Sequence, residues 1–187
     1  QNLQKGTHYL SPILNAIDIK LKLEISYQPF YVDAPREYII HPYLLKEFDQ
    51  RWYVYAFEQD GGIFKSFALD RMLSCKTTNE SFKLQKIDRD LIFNHLIGIS
   101  GEKDQPEKVV LRFTSYQAKY ITSLPMHHSQ TEIARDDESV TFEYWLVPNY
   151  ELKQVVLKHA EQVEVLEPTN LRDEIVDRLQ KSLNQYR

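Results

Sequence analysis

The sequence predicts an α+β fold in two parts. A small five-stranded antiparallel β-barrel behind an N-terminal helix comes first, and a domain of alternating strands and helices follows. Three observations carry this. Residues 38 to 73 hold three short apolar-alternating runs parted by polar breaks, one of them Asp60-Gly61-Gly62. That is the pattern of an antiparallel meander with a tight hairpin. The stretch from Gly98 to Pro106 is rich in glycine and charge and has no period, which marks a linker. Beyond it the order reads β-α-β-β-α-β plus a terminal helix, the split arrangement of a ferredoxin-like domain. The expected domains are residues 1–100 and 105–187.

Taken in order, Leu10, Ile13, Leu14, Ile17 and Leu21 recur near helical spacing, with Ser11-Pro12 as cap and first turn. A strand over residues 23–27 then enters the sheet, and Pro29 and Pro35 bracket a surface loop. The meander ends near Cys75, residues 81–84 connect, and residues 87–99 read as a short amphipathic helix. In the second half, 109–113 reads as a strand and 116–124 as a helix. Strands over 127–134 and 140–147 flank a turn at Asp136-Asp137-Glu138. A helix over 150–159 and a strand over 163–166 precede a final helix opened by Pro168, where Leu171, Ile175, Leu179 and Leu183 recur every fourth residue.

Composition narrows the function classes. With 42% apolar and 12% aromatic residues in 187, the chain fills a core, and 27% charge is ordinary for a soluble protein. No run approaches the roughly 18 apolar residues of a membrane span, so no membrane partner is expected. The one cysteine, Cys75, excludes internal disulfides and cysteine-pair metal sites and suits a reducing cytoplasm. A net charge of −4 argues against binding duplex DNA over a broad face, which rests on neutralising phosphates. A local basic pocket stays open. A chain that opens on Gln1 rather than methionine is expected to be part of a longer protein.

The meander interleaves His41, Tyr43, Trp52, Tyr53, Lys65 and Arg71 with aliphatics, as a polar or nucleotide ligand site requires. Side chains alternate along a strand, so Trp52, Val54 and Ala56 share one face and Tyr53, Tyr55 and Phe57 the other. One face must be core, and Trp52 and Phe67 suit it. Tyr27, Tyr43 and Tyr53 offer a ring for packing or a hydroxyl for a phosphate or base. Arg71 shares parity with Phe67 and Leu69, so continuing the strand buries its guanidinium, which then needs an anion. Asp70, Glu80, a bulge that turns it outward, or a ligand phosphate or carboxylate each answers that need. Lys65 is a second ligand cation or a solvated lysine after the turn. His41, extended before Pro42, meets a ligand or a backbone group. The pair His127-His128 faces opposite sides of a strand, without a third ligand nearby, so no metal is expected. No phosphate loop, Gly-x-Ser-x-Gly or His-Glu-x-x-His motif is present, so neither an enzyme nor a cofactor is expected.

The same segment carries a resemblance. His41-Pro42-Tyr43, Arg51-Trp52-Tyr53-Val54 and Lys65-x-Phe67-x-Leu69-Asp70-Arg71 resemble the signature of the WYL domain, with Val54 in place of leucine in its naming triplet. His127-His128-Ser129-Gln130, Asn149-Tyr150-Glu151-Leu152, Val163-Glu164-Val165-Leu166-x-Pro168 and Leu171-Arg172 resemble the WCX domain that follows WYL domains in bacterial transcription factors. Together the resemblances cover nearly the whole chain. They imply an Sm-like barrel whose ligand site includes the residue matching Arg71, and a winged helix-turn-helix ahead of it that residues 1 to 24 do not supply. At the position of Lys65 the family usually has arginine, so the charge is kept and the fork lost. The reading that results is the ligand-sensing and dimerisation region of a bacterial transcriptional regulator. Its barrel takes a nucleotide or short single-stranded nucleic acid at Tyr27, His41, Tyr43, Trp52, Tyr53, Lys65 and Arg71. Duplex DNA is met only through the absent head, and a homodimer is expected. Two other readings stay open: an accessory nucleic-acid-binding domain of a helicase-type enzyme, and a protein-interaction module without a small ligand.

Overall fold

Helix α1 spans Leu10–Ile19 and follows a 3-10 turn over Thr7–Tyr9. Its N-cap is Tyr9, so Ser11-Pro12 lies inside the first turn, where proline's missing N–H costs nothing. Lys20 stops the helix in a left-handed conformation at φ 58°. This computed structural model describes residues 5–85, 93–100 and 105–187. The chain divides into two compact units, Gln1–Asp88 and Arg89–Arg187.

In the first unit β1 (Leu21–Tyr27), β2 (Arg36–Phe48), β3 (Arg51–Glu58), β4 (Ile63–Ala68) and β5 (Met72–Ser81) form one antiparallel sheet in the order β4-β3-β2-β1-β5. No ladder joins β4 to β5 among the described residues, so the expected barrel is an open five-stranded sheet. A 3-10 turn over Leu69–Arg71 links those two end strands and breaks the strand periodicity there. The predicted hairpin at Asp60-Gly61-Gly62 joins β3 to β4, with Gly62 at φ 64°. A second tight turn, Asp49-Gln50, joins β2 to β3 with both residues at positive φ, the geometry that matches strand twist.

One face of the sheet buries Leu23, Ile25, Ile40, Val54, Ala56 and Phe67 beneath Ile13 and Ala16 of α1. Each such aliphatic contributes roughly 1.5–3 kcal/mol. The pairing of β2 with β3 shifts register between Pro42 and Leu44, so Tyr43 is the extra residue of a bulge. It turns onto the opposite face, where its ring meets Phe64 and Phe82.

The second unit holds β6 (Glu107–Thr114), α2 (Ser115–Ser123), β7 (Thr131–Arg135), β8 (Ser139–Leu146), α3 (Tyr150–His159), β9 (Val163–Glu167) and α4 (Thr169–Asn184). Its antiparallel order β7-β8-β6-β9 is that of the ferredoxin-like arrangement. Leu111, Phe113, Phe142, Tyr144, Leu152 and Leu171 fill the core. Strand β7 starts later than expected because residues 127–130 form a turn, held by Gln130 N–H donating to His127 O at 3.1 Å. His127 and His128 therefore do not oppose one another across a strand; their rings lie 4.1 Å apart.

The helix expected over 87–99 falls largely on residues 86–92, outside the described residues. Residues 93–100 are not a helix beyond Phe93. They pack with the second unit instead of linking: Asn149 Nδ2 donates to Ile97 O at 2.7 Å and Ser100 O at 2.9 Å. The compact units thus divide between Asp88 and Arg89, ahead of the expected linker at 98–106.

Candidate anion-binding site

The seven residues singled out by sequence fall into separate groups. Tyr27 and Arg71 come together at the end of β1. Pro29 ends that strand, and Gln28 holds the turn that follows: its N–H donates to Arg71 O at 3.1 Å, and its side-chain amide donates to Asp33 O at 3.0 Å. Gly6, at φ 86°, brings the N-terminal segment against the Leu69–Arg71 turn so closely that a Cβ there would stand 2.4 Å from the Leu69 carbonyl. Lys5, Gln28, Phe30, Asp70 and Arg71 thereby line one pocket of about 300 Å³.

Arg71 is its centre. The 3-10 turn, not a strand, presents the residue, and the guanidinium carbon lies 4.5 Å from the centre of the Phe30 ring, in cation–π range. Of the two carboxylates weighed as its partners, Glu80 accepts from Lys22 at 2.8 Å, and Asp70 Oδ2 lies 3.7 Å from Arg51 Nε while its buried Oδ1 has no hydrogen-bond partner among the described residues. Arg71 makes no ion pair among the described residues, and its buried Nε has no hydrogen-bond acceptor there. A buried cationic donor without an acceptor is costly unless a ligand supplies one. The Tyr27 hydroxyl accepts from Ala68 N–H at 3.3 Å. Burial raises its pKa, opposed by that amide and by Arg71 beside it.

Lys65 reaches the same edge by another route. Its ammonium is bonded to Glu58, which is buried, and lies 5.4 Å from the centre of the Tyr38 ring. Tyr38 in turn packs edge-on with Tyr27 and Phe67. Two cations therefore flank a Tyr27–Tyr38 pair, but only Arg71 is uncompensated. Trp52 is half-buried against the same core as Val54.

His41, Tyr43 and Tyr53 lie on the opposite face. His41 stacks on Phe82 at 4.9 Å, its Nε2 lies 3.3 Å from Gln59 Oε1, and burial pulls its pKa below the usual imidazole value. The Tyr43 hydroxyl accepts from Gln85 N–H at 2.9 Å. Tyr53 is buried two residues from Tyr55 on that face. His41 and Tyr43 join Phe57, Phe64 and Phe82 in a second aromatic cluster.

Phe30, Tyr38, Lys5 and Gln28 were not foreseen. Tyr38 had a legible signal, since it shares strand parity with the core residue Ile40. Phe30 had one too, an aromatic stranded in a proline-bracketed loop. Lys5 and Gln28 had none, because a chain folding back through Gly6 is not written in local pattern.

Residues 8–77 match the family model of the WYL domain, and residues 105–183 that of the WCX domain. No curated protein matches the sequence. Among solved structures, one described as a CRISPR Cas-related protein is 12% identical, with a TM-score of 0.60 over 98% of this chain and 52% of its own. At that identity the likeness speaks to fold. Proteasome accessory factor B/C of Arthrobacter aurescens is 21% identical, with a TM-score of 0.40 over 97% of this chain and 27% of its own. This chain thus spans about half and about a quarter of those two proteins.

Proposed function

The chain carries a WYL domain followed by a WCX domain, and we propose that it is the ligand-sensing region of a transcriptional regulator. The ligand class we assign to its site is a nucleotide or short single-stranded nucleic acid. One observation carries the assignment: Arg71 offers a guanidinium with no carboxylate partner among the described residues, capped by a ring that is 75% exposed. A phosphate answers the guanidinium through charge-assisted hydrogen bonds, and a base answers the Phe30 ring by stacking, worth roughly 1–3 kcal/mol. Lys5 adds positive charge at the pocket rim. Ligand binding then shifts the balance between two arrangements of the full regulator by as much as its affinity for them differs. No catalytic step is assigned.

Binding of labelled short oligonucleotides and of cyclic nucleotides, measured by anisotropy across a salt series, tests the reading. Micromolar binding is expected, weakening with salt by a log–log slope of about −0.7 per phosphate contacted. Absence of binding to both ligand types, or binding undiminished in a folded Arg71→Ala protein, overturns it. The exposed pair Phe30 and Tyr31 favours one other reading, a surface that docks a partner protein. In that case Phe30→Ala abolishes partner capture while nucleotide binding is absent from the parent.

A further inference from the structure

Residues 108–131 are the longest stretch of this chain without an aspartate or glutamate, in a protein that has 27 of them. The stretch includes all of α2 and the loop that follows, and it leaves apolar side chains outside. Tyr116, Tyr120 and Leu124 recur every fourth residue and are 65%, 55% and 79% exposed. The row is about 12 Å long, roughly two helical turns. Beside it lies a groove of about 410 Å³ between α2 and α3, with Ile121, Met126 and Val155 in its lining. Lys158 and His159 line it too, and no carboxylate does among the described residues. Gln130 holds its shape. The Nε2 of that residue donates to Ile121 O at 3.1 Å, and its Oε1 accepts from Met126 N–H at 3.1 Å and from the Tyr144 hydroxyl at 3.0 Å. This clasp fixes the loop carrying Leu124 and Pro125, so a partner has little left to order. We infer that this face docks a partner protein through an acidic amphipathic helix.

Charge selects the occupant. Lys119, next to Tyr120 on α2, and Lys158 on α3 are both exposed, and neither makes an ion pair among the described residues. The other described lysines of this unit are matched: Lys108 with Glu167, Lys153 with Glu174 and Lys181 with Asp177. The two unmatched lysines thus lie at the apolar row and its groove. A helix with apolar anchors at three- and four-residue spacing and carboxylates along its sides answers both features. Small-molecule sites enclose most of their ligand, whereas here Leu124 stands largely in solvent. Nucleic acid suits the face less, since its groove is lined by aliphatic side chains and two lysines neutralise few phosphates.

Panning the immobilised whole chain against displayed random peptides of about 14 residues, roughly four helical turns, tests this. The enriched peptides should carry Asp and Glu around apolar anchors at three- and four-residue spacing, and bind at micromolar strength. Leu124→Glu and Lys158→Glu both alter exposed side chains, so the thermal melt and circular dichroism should stay as in the parent. Leu124→Glu should weaken the peptides by about tenfold or more, as loss of a central anchor does. Lys158→Glu should weaken them by about tenfold at low salt and by less as salt rises. Leu183→Glu, at an exposed leucine of α4, should leave binding unchanged. A library that enriches nothing, or enriches basic or uncharged peptides, overturns the inference. So do acidic peptides indifferent to both groove variants, or equally weakened by Leu183→Glu. Binding of a single-stranded oligonucleotide that Leu124→Glu removes assigns the face to nucleic acid and overturns it as well.

Discussion

The two units differ in how their arginines are partnered. In the second unit Glu164 accepts from both Arg112 and Arg172, and Arg172 also donates to Val165 O at 2.7 Å. Those two arginines hold the Glu164 carboxyl below its ordinary pKa. Asn149 caps α3 through Leu152 N–H at 2.8 Å and clasps two carbonyls of residues 97–100. In the first unit Lys65 is satisfied by Glu58, yet Arg71 is left without an anion in a lined pocket. A guanidinium whose partners lie inside the domain serves packing. One whose partner is missing inside the domain is available to something outside it. On the function we propose, the difference separates a unit that holds from a unit that binds.

The largest test of that contrast strikes the holding unit. Leu152 is fully buried where α3 meets the sheet, so Leu152→Ala should cost about 2–5 kcal/mol in denaturant unfolding. It should leave nucleotide affinity of the folded protein unchanged. Next comes Arg71→Ala, expected to cost about 1.5–3 kcal/mol of binding, roughly ten- to a hundredfold, because it removes charge-assisted bonds. Its effect on unfolding should be small, since no internal ion pair is lost. A stability loss as large as that of Leu152→Ala would place Arg71 with the structural arginines and erase the contrast. Arg172→Ala should do the reverse at smaller scale: up to about 1 kcal/mol of stability, as half-exposed ion pairs contribute little, and no change in binding.

The smallest expected effect is that of pH. Burial depresses His41 in the first unit and His159 in the second below the ordinary imidazole value. Below about pH 6.5 the unfolded chain therefore takes up protons that the folded chain does not. Stability is full above that pH and falls as pH drops from it toward the folded-state values. His41→Gln and His159→Gln should each flatten part of this slope, read by denaturant melts between pH 7.5 and pH 5. An unchanged slope in both variants would mean that other groups control it.

Much of the fold was legible locally. Strand alternation gave β3 and β8, the Asp60-Gly61-Gly62 turn gave the hairpin, and the four-residue leucine row gave α4, because each depends on neighbours in sequence. The sequence also offered the cation of the candidate site, since an arginine in an apolar run needs an anion where the chain buries it. Only the tertiary structure decided what surrounds it. The 3-10 turn at Leu69–Arg71 aims Arg71 at Phe30, and Asp70 and Glu80 are drawn to other arginine and lysine partners. The bulge at Tyr43 and strand parity send His41, Tyr43 and Tyr53 to the opposite face, where His41 and Tyr43 pack against phenylalanines. Partner choice and facing are settled by register and close approach between segments distant in sequence, and those contacts leave no local pattern to read.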